Sequence, residues 1–119
     1  MQRSRNGRNT QTPAARNGTG VTNRRARQRA IAIGIVDGHE AGEPLAELKE
    51  LLRTAGVATA GEATQQRPKP DPDRYFGRGR LDELKREIAA CDANLVACDD
   101  ELAPRQERNL EAALGVPVI

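Results

Sequence analysis

The sequence predicts an α/β domain, small and built in two or three layers, on a mostly parallel sheet with βαβ crossovers. Three observations predict it. An uninterrupted apolar run over residues 30–36 has the form of a strand buried on both faces. Strand-like and helix-like segments then alternate three times, an order that short right-handed connections convert into neighbouring parallel strands. Turn and breaker residues, Asp37-Gly38, Gly56, a run of three prolines and Gly115, fall between those segments.

The first strand reads Ala-Ile-Ala-Ile-Gly-Ile-Val and is bounded by Arg29 and Asp37-Gly38. A helix opens at Glu43-Pro44, where a first-turn proline is tolerated, and Leu45, Leu48, Leu52 and Ala55 recur on one face before Gly56 stops it. Residues 57–64 alternate more weakly and form the second strand. Arg67-Pro-Lys-Pro-Asp-Pro-Asp excludes regular structure, because each proline lacks an amide donor, and so predicts a rigid exposed loop. The glycine-rich turn Tyr75-Phe-Gly-Arg-Gly-Arg80 feeds a second helix with Leu81, Leu84, Ile88 and Cys91 on one face. Residues 94–98 make a short apolar strand, and the acidic Asp99-Asp100-Glu101 connects it to a third helix. Pro104 begins that helix, Leu110, Ala113 and Leu114 line it, and Gly115 closes it. Residues 116–119 open a further strand. A parallel sheet is normally covered on both faces, so a chain ending on a strand is expected to be incomplete at its carboxyl end, marginally stable and prone to self-association.

Composition sets the scale and the setting. With 119 residues, 37% of them hydrophobic and 2% aromatic, the chain supports one folded unit whose core is Leu, Ile, Val and Ala with Tyr75 and Phe76 as its only rings. No apolar run approaches the roughly 20 residues of a membrane-spanning helix, and the basic start lacks a signal-peptide core, so a cytoplasmic location is expected, with no membrane partner. Cys91 and Cys98 are separated by six residues, which does not match the usual zinc-ligand spacings. Cys98 reads as a small buried hydrophobe on a strand and Cys91 as a residue near a helix end, and no metal is expected. Charge divides the chain in two. Residues 1–29 carry eight arginines and no acid, whereas residues 30–119 carry eleven basic and seventeen acidic side chains. The first segment is also rich in Asn, Gly and Thr, so it reads as a disordered Arg-rich arm preceding the domain at 30–119. Such an arm either grips RNA phosphates or merely solvates.

No catalytic residue is predicted. His39 has Asp37 and Glu40 nearby but no nucleophile. Gly77, Arg78, Gly79 and Arg80 ahead of a helix suit a phosphate, whether of RNA or of ATP: glycine allows close backbone approach, and the helix amides and arginines supply positive potential. The equal alternative is a tight turn with solvated arginines. Arg67 and Lys69 in the proline loop, with Arg105, Gln106, Arg108 and Asn109 on the third helix, suit contacts to RNA backbone or to another domain, or simply a solvated face. The acidic run at 99–101 either holds Mg²⁺ or, more economically, favours the positive end of the following helix.

Three blocks carry a resemblance. Arg67-Pro-x-Pro, Tyr75-Phe-Gly-Arg-Gly-Arg-Leu-x-Glu-Leu84 and Asp99-Asp-Glu-Leu-x-Pro-x-Gln-x-Arg-Asn-Leu-Glu111, in this order and spacing, resemble the amino-terminal domain of HflX GTPases over residues 30–119. Two positions depart from the family pattern. Arg80 stands where Lys is usual, and Ala103 stands where Ser or Thr would cap the third helix; Asp100 is expected to compensate in part through the helix dipole. The resemblance implies a helical hairpin and a GTP- and Mg²⁺-binding domain beyond residue 119. The sequence holds no Gly-x-x-x-x-Gly-Lys-Ser/Thr, so no GTP hydrolysis is expected of these residues alone and they need no cofactor of their own. It further implies association with the large ribosomal subunit and its RNA, near the peptidyl-transferase centre, in splitting or rescuing stalled ribosomes. The competing expectation is a free-standing phosphate- or nucleotide-binding or receiver-like signalling domain. A receiver fits poorly, since it needs an acidic pair after the first strand, where this chain has Asp37 alone.

Overall fold

The computed structural model describes residues 27–119 and shows three strands and three helices in strict alternation: β1 (Arg29–Val36), α1 (Ala46–Thr54), β2 (Ala58–Gln66), α2 (Arg78–Cys91), β3 (Leu95–Cys98) and α3 (Pro104–Leu114). The Arg-rich arm, apart from its last three residues, lies outside the described residues. The sheet order is β2-β1-β3, parallel throughout. The path runs outward from β1 to β2 and then back across to β3. Connections of one hand must therefore place α1 on one face and α2 on the other, which makes the domain three-layered.

The side chains of β1 sort the layers. Alternate residues point to opposite faces of a strand. Ile31 and Ile33 face the larger core with Tyr75, Phe76, Leu84, Val96 and Leu110, which α2 and α3 cover. Ala30 and Ala32 face the smaller core with Leu45, Leu52, Val57 and Ala97, which α1 covers. The small stripe ends at Gly34, where a β-carbon would come within 2.8 Å of Leu45 Cδ2. Absence of that carbon lets α1 enter close to the sheet.

Several elements differ in detail from the sequence reading. Pro44 sits in a turn ahead of α1, and Ala55 is its exposed C-cap, so Leu45, Leu48 and Leu52 alone make the inward stripe. Residues 116–119 form a single parallel bridge beside β3. Val96 N–H donates to the Pro117 carbonyl, Ile119 N–H to the Val96 carbonyl and Cys98 N–H to the Ile119 carbonyl, each at 2.9 Å. Pro117 has no amide to extend the ladder, and Pro at this place leaves the bridge one residue wide. Arg29 belongs to the sheet. Its guanidinium donates to the carbonyls of Cys91 and Asp92 at 3.0 and 3.3 Å, satisfying the frayed end of α2.

Candidate functional site

Open α/β sheets place ligands beyond the carboxyl ends of their strands, at the point where successive connections leave in opposite directions. Here that point lies between β1 and β3. The loops reaching it are 37–45, 67–77 and 99–103, and one side chain fills it. Tyr75 is fully buried. Its hydroxyl donates to Asp100 Oδ2 at 2.5 Å and accepts from the Ile35 amide at 3.1 Å, and its ring stacks on Phe76 with centroids 5.3 Å apart. Burial first, then Asp100, hold the phenol's pKa far above the ordinary tyrosine range.

The proline loop delivers Tyr75 there through a closed knot. Asp71 and Tyr75 exchange two backbone hydrogen bonds of 2.9 Å, and Asp71 Oδ1 accepts the amides of Asp73 and Arg74 at 2.8 Å. Those two amides hold the Asp71 carboxyl below its usual range. Phe76 N–H then returns to the Arg74 carbonyl at 2.7 Å, closing a γ-turn about Tyr75, whose φ is +71°. A bulky side chain rarely adopts that conformation, so the knot holds local strain. The residues expected to form a rigid exposed loop thus form an ordered strap, with Asp71, Asp73 and Arg74 half-buried.

Three of the predicted contact residues grip this strap from α3. Arg105 Nη1 donates to Asp73 Oδ1 at 2.6 Å, Gln106 Nε2 to the Asp71 carbonyl at 2.9 Å and Asn109 Nδ2 to the Asp73 carbonyl at 2.8 Å. Arg108 is exposed and makes no hydrogen bond or ion pair among the described residues. Gln106 also accepts the Ala103 amide at 2.9 Å, so half of a reciprocal helix cap is present; the other half fails because alanine carries no oxygen. Asp100, expected to compensate in part through the helix dipole, accepts the Tyr75 hydroxyl.

The 77–80 segment divides between two environments. Gly77 is the N-cap of α2 and Arg78, Gly79 and Arg80 are its first turn. The Gly77 amide is taken by Gln65 Oε1 at 2.8 Å, and a β-carbon there would sit 3.2 Å from Arg67 Nη1. Arg67 and Gln65 therefore close over the helix start, which explains the glycine better than backbone freedom does, for its φ is −65°. Arg78 and Gly79 are exposed. Arg80 turns away: its guanidinium donates to the Thr64 carbonyl at 3.1 Å and to Glu83 and Glu87 at 3.0 Å each, and lies over Phe76. An anion at Arg80 would compete with two carboxylates. Arg67 Nε donates to the Lys69 carbonyl at 3.2 Å, while Lys69 itself is exposed. A shallow cleft of about 460 Å³ between Asp37, His39, Gln66, Arg67 and Pro68 completes this end of the sheet.

Cys98 closes β3 and Cys91 closes α2, both half-buried, and burial raises the Cys98 thiol's pKa. Burial likewise raises the Asp99 carboxyl's pKa, with Asp100 and Glu47 adding repulsion. Sequence reasoning missed Gln65, which caps a helix from a strand twelve positions earlier, and Tyr75 as the occupant of the crevice. The only sequence signal for the latter was a polar-tipped ring immediately after a loop too proline-rich to pair.

Comparison with known proteins gives a consistent result. Residues 42–119 match the family model described as GTP-binding GTPase N-terminal. The chain is 40% identical over 89 residues to a GTPase HflX of Lacrimispora saccharolytica, covering 75% of this chain and 21% of that protein. It is 42% identical over 95 residues to a GTPase HflX of Caldanaerobacter subterraneus, covering 80% and 22%. Against GTPase HflX of Escherichia coli it is 38% identical over 77 residues, covering 65% and 18%. The chain spans about a fifth of the length of the curated relatives it matches.

Proposed function

Since the chain belongs to the GTP-binding GTPase N-terminal family, the family of the HflX GTPases' amino-terminal part, we propose that it is a ribosome-docking module of such an enzyme. In this reading it associates with the large ribosomal subunit and its RNA, in the cytoplasm, during splitting or rescue of ribosomes. GTP and Mg²⁺ are bound by another domain of the same protein, so these residues alone do not turn over GTP.

The observation that carries the reading is the family match across two-thirds of the chain, with the blocks at 67–70, 75–84 and 99–111 each beginning at one end of the sheet. That end supports RNA contact chemically. Lys69, Arg78 and Arg108 are exposed, and half-buried Arg67 stands over the amides that begin α2. Arg side chains and helix amides both favour phosphate oxygens, which fix position without reading sequence. ATP at the same helix start is a narrower form of the same chemistry. Arg80, held by Glu83 and Glu87, contributes to the field there rather than gripping the ligand.

Co-sedimentation through sucrose with purified large and small subunits tests the proposal. The chain is expected to pellet with the large subunit alone. The double variant Arg67→Glu, Arg78→Glu is expected to weaken binding at least tenfold at constant fold, since each lost phosphate contact also reduces the salt dependence. Equal pelleting with both subunits, or none with either, would remove the reading.

A further inference from the structure

We propose that the Asp71–Tyr75 strap is a displaceable plug: Tyr75 closes the β1/β3 crevice in the state described, and α3 controls its release through Arg105, Gln106 and Asn109. The inference does not depend on what the domain docks to. It rests on how the closed state is held.

The crevice is filled by a side chain from outside the sheet, whose ring packs in the larger core and whose hydroxyl is held by polar contacts that water can replace. Ile35 N–H donates to the Tyr75 hydroxyl, and that hydroxyl donates to Asp100, whose residue is exposed. Water can take over both partners when the phenol leaves. Closure also carries local costs that opening relieves. Tyr75 sits at φ +71° within a γ-turn, and Arg74 Nε is buried with no hydrogen-bond partner among the described residues. The knot is internally closed by its Asp71–Tyr75 bonds, so it can move as one piece between Pro70 and Phe76.

Three side chains oppose that movement, all from one face of α3. The Arg105–Asp73 pair is well exposed, at 67% and 50% of the side-chain surfaces. An anion or partner that engages Arg105 takes it from Asp73 and loosens the strap. Occupancy of the outer surface of α3 is thereby coupled to the crevice, and the coupling has a direction: contact at Arg105 favours opening.

Two probes read the movement separately from unfolding. Tyr75 is the only tyrosine and the chain has no tryptophan, so its emission reports this site alone. The Ile35 amide, bonded to the phenol, reports crevice opening by hydrogen exchange, and the Ala32 amide, in the central strand between β2 and β3, reports the global core. In the 119-residue chain, Ile35 is expected to exchange by an opening with far smaller urea dependence than Ala32. Asp73→Asn, which removes the exposed ion pair but keeps the carbonyl that Asn109 uses, is expected to speed Ile35 exchange about two- to fivefold and raise acrylamide quenching of Tyr75. Ala32 exchange should stay unchanged. If Ile35 and Ala32 share one urea slope, or if Asp73→Asn leaves Ile35 exchange as it was, Tyr75 is a fixed part of the core and the proposal fails.

Discussion

Two residues set the geometry at the finest scale, Gly34 by lacking a side chain and Tyr75 by burying a polar one. Gly34→Ala would place a β-carbon 2.8 Å from Leu45 Cδ2, and Leu45, the N-cap of α1, is itself fully buried against the sheet. Relief requires an off-rotamer leucine or a displaced helix, so a loss of about 1–3 kcal/mol is expected in urea unfolding with little change in slope. Tyr75→Phe keeps the ring but strands the Ile35 amide and Asp100, a loss of about 1–3 kcal/mol at neutral pH. Its alkaline signature is more specific. The folded phenol stays protonated well above the pH, about 10, at which an unfolded chain ionises it. The stability it carries is therefore complete below about pH 10 and drains as pH rises beyond, where the unfolded state binds fewer protons. Thermal melts at rising pH should show an alkaline limb in the parent that Tyr75→Phe flattens.

Among elements, the helices show how termini are satisfied from a distance. Arg29 closes the carboxyl end of α2, Gln65 caps its amino end, and Gln106 supplies half the cap of α3. Ala103→Ser would complete the last of these, because residue 103 already has the extended backbone of a cap, with φ −68° and ψ 151°. A gain of about 0.5–1 kcal/mol in the thermal transition is expected, and no gain would mean that the serine oxygen cannot reach the Gln106 amide. The same elements show what the sequence made legible. Apolar runs and breakers located every strand and helix because the periodicity is a local property. The rigidity of the proline loop was legible but not what holds it, because its order comes from α3 side chains more than thirty positions away and from a positive φ at tyrosine, which no propensity favours. Arg105, Gln106 and Asn109 were recognisable as polar contacts on α3, but their partner within the domain was not.

At the scale of the molecule, one end of the sheet gathers everything that distinguishes the domain: the strap, the starts of α2 and α3, and the exposed Lys69, Arg78 and Arg108. The opposite end holds the turns that close the fold. Among the described residues no helix is long and apolar enough to cross a membrane. The three blocks that carry the resemblance all begin at this end, which is why docking through it is the central claim. Chemical probing of large-subunit RNA in the presence of the chain tests it most directly. Localised protection around the peptidyl-transferase centre, lost in the Arg67→Glu, Arg78→Glu variant, is the predicted result; protection scattered over the subunit surface, or unchanged by that variant, would contradict it.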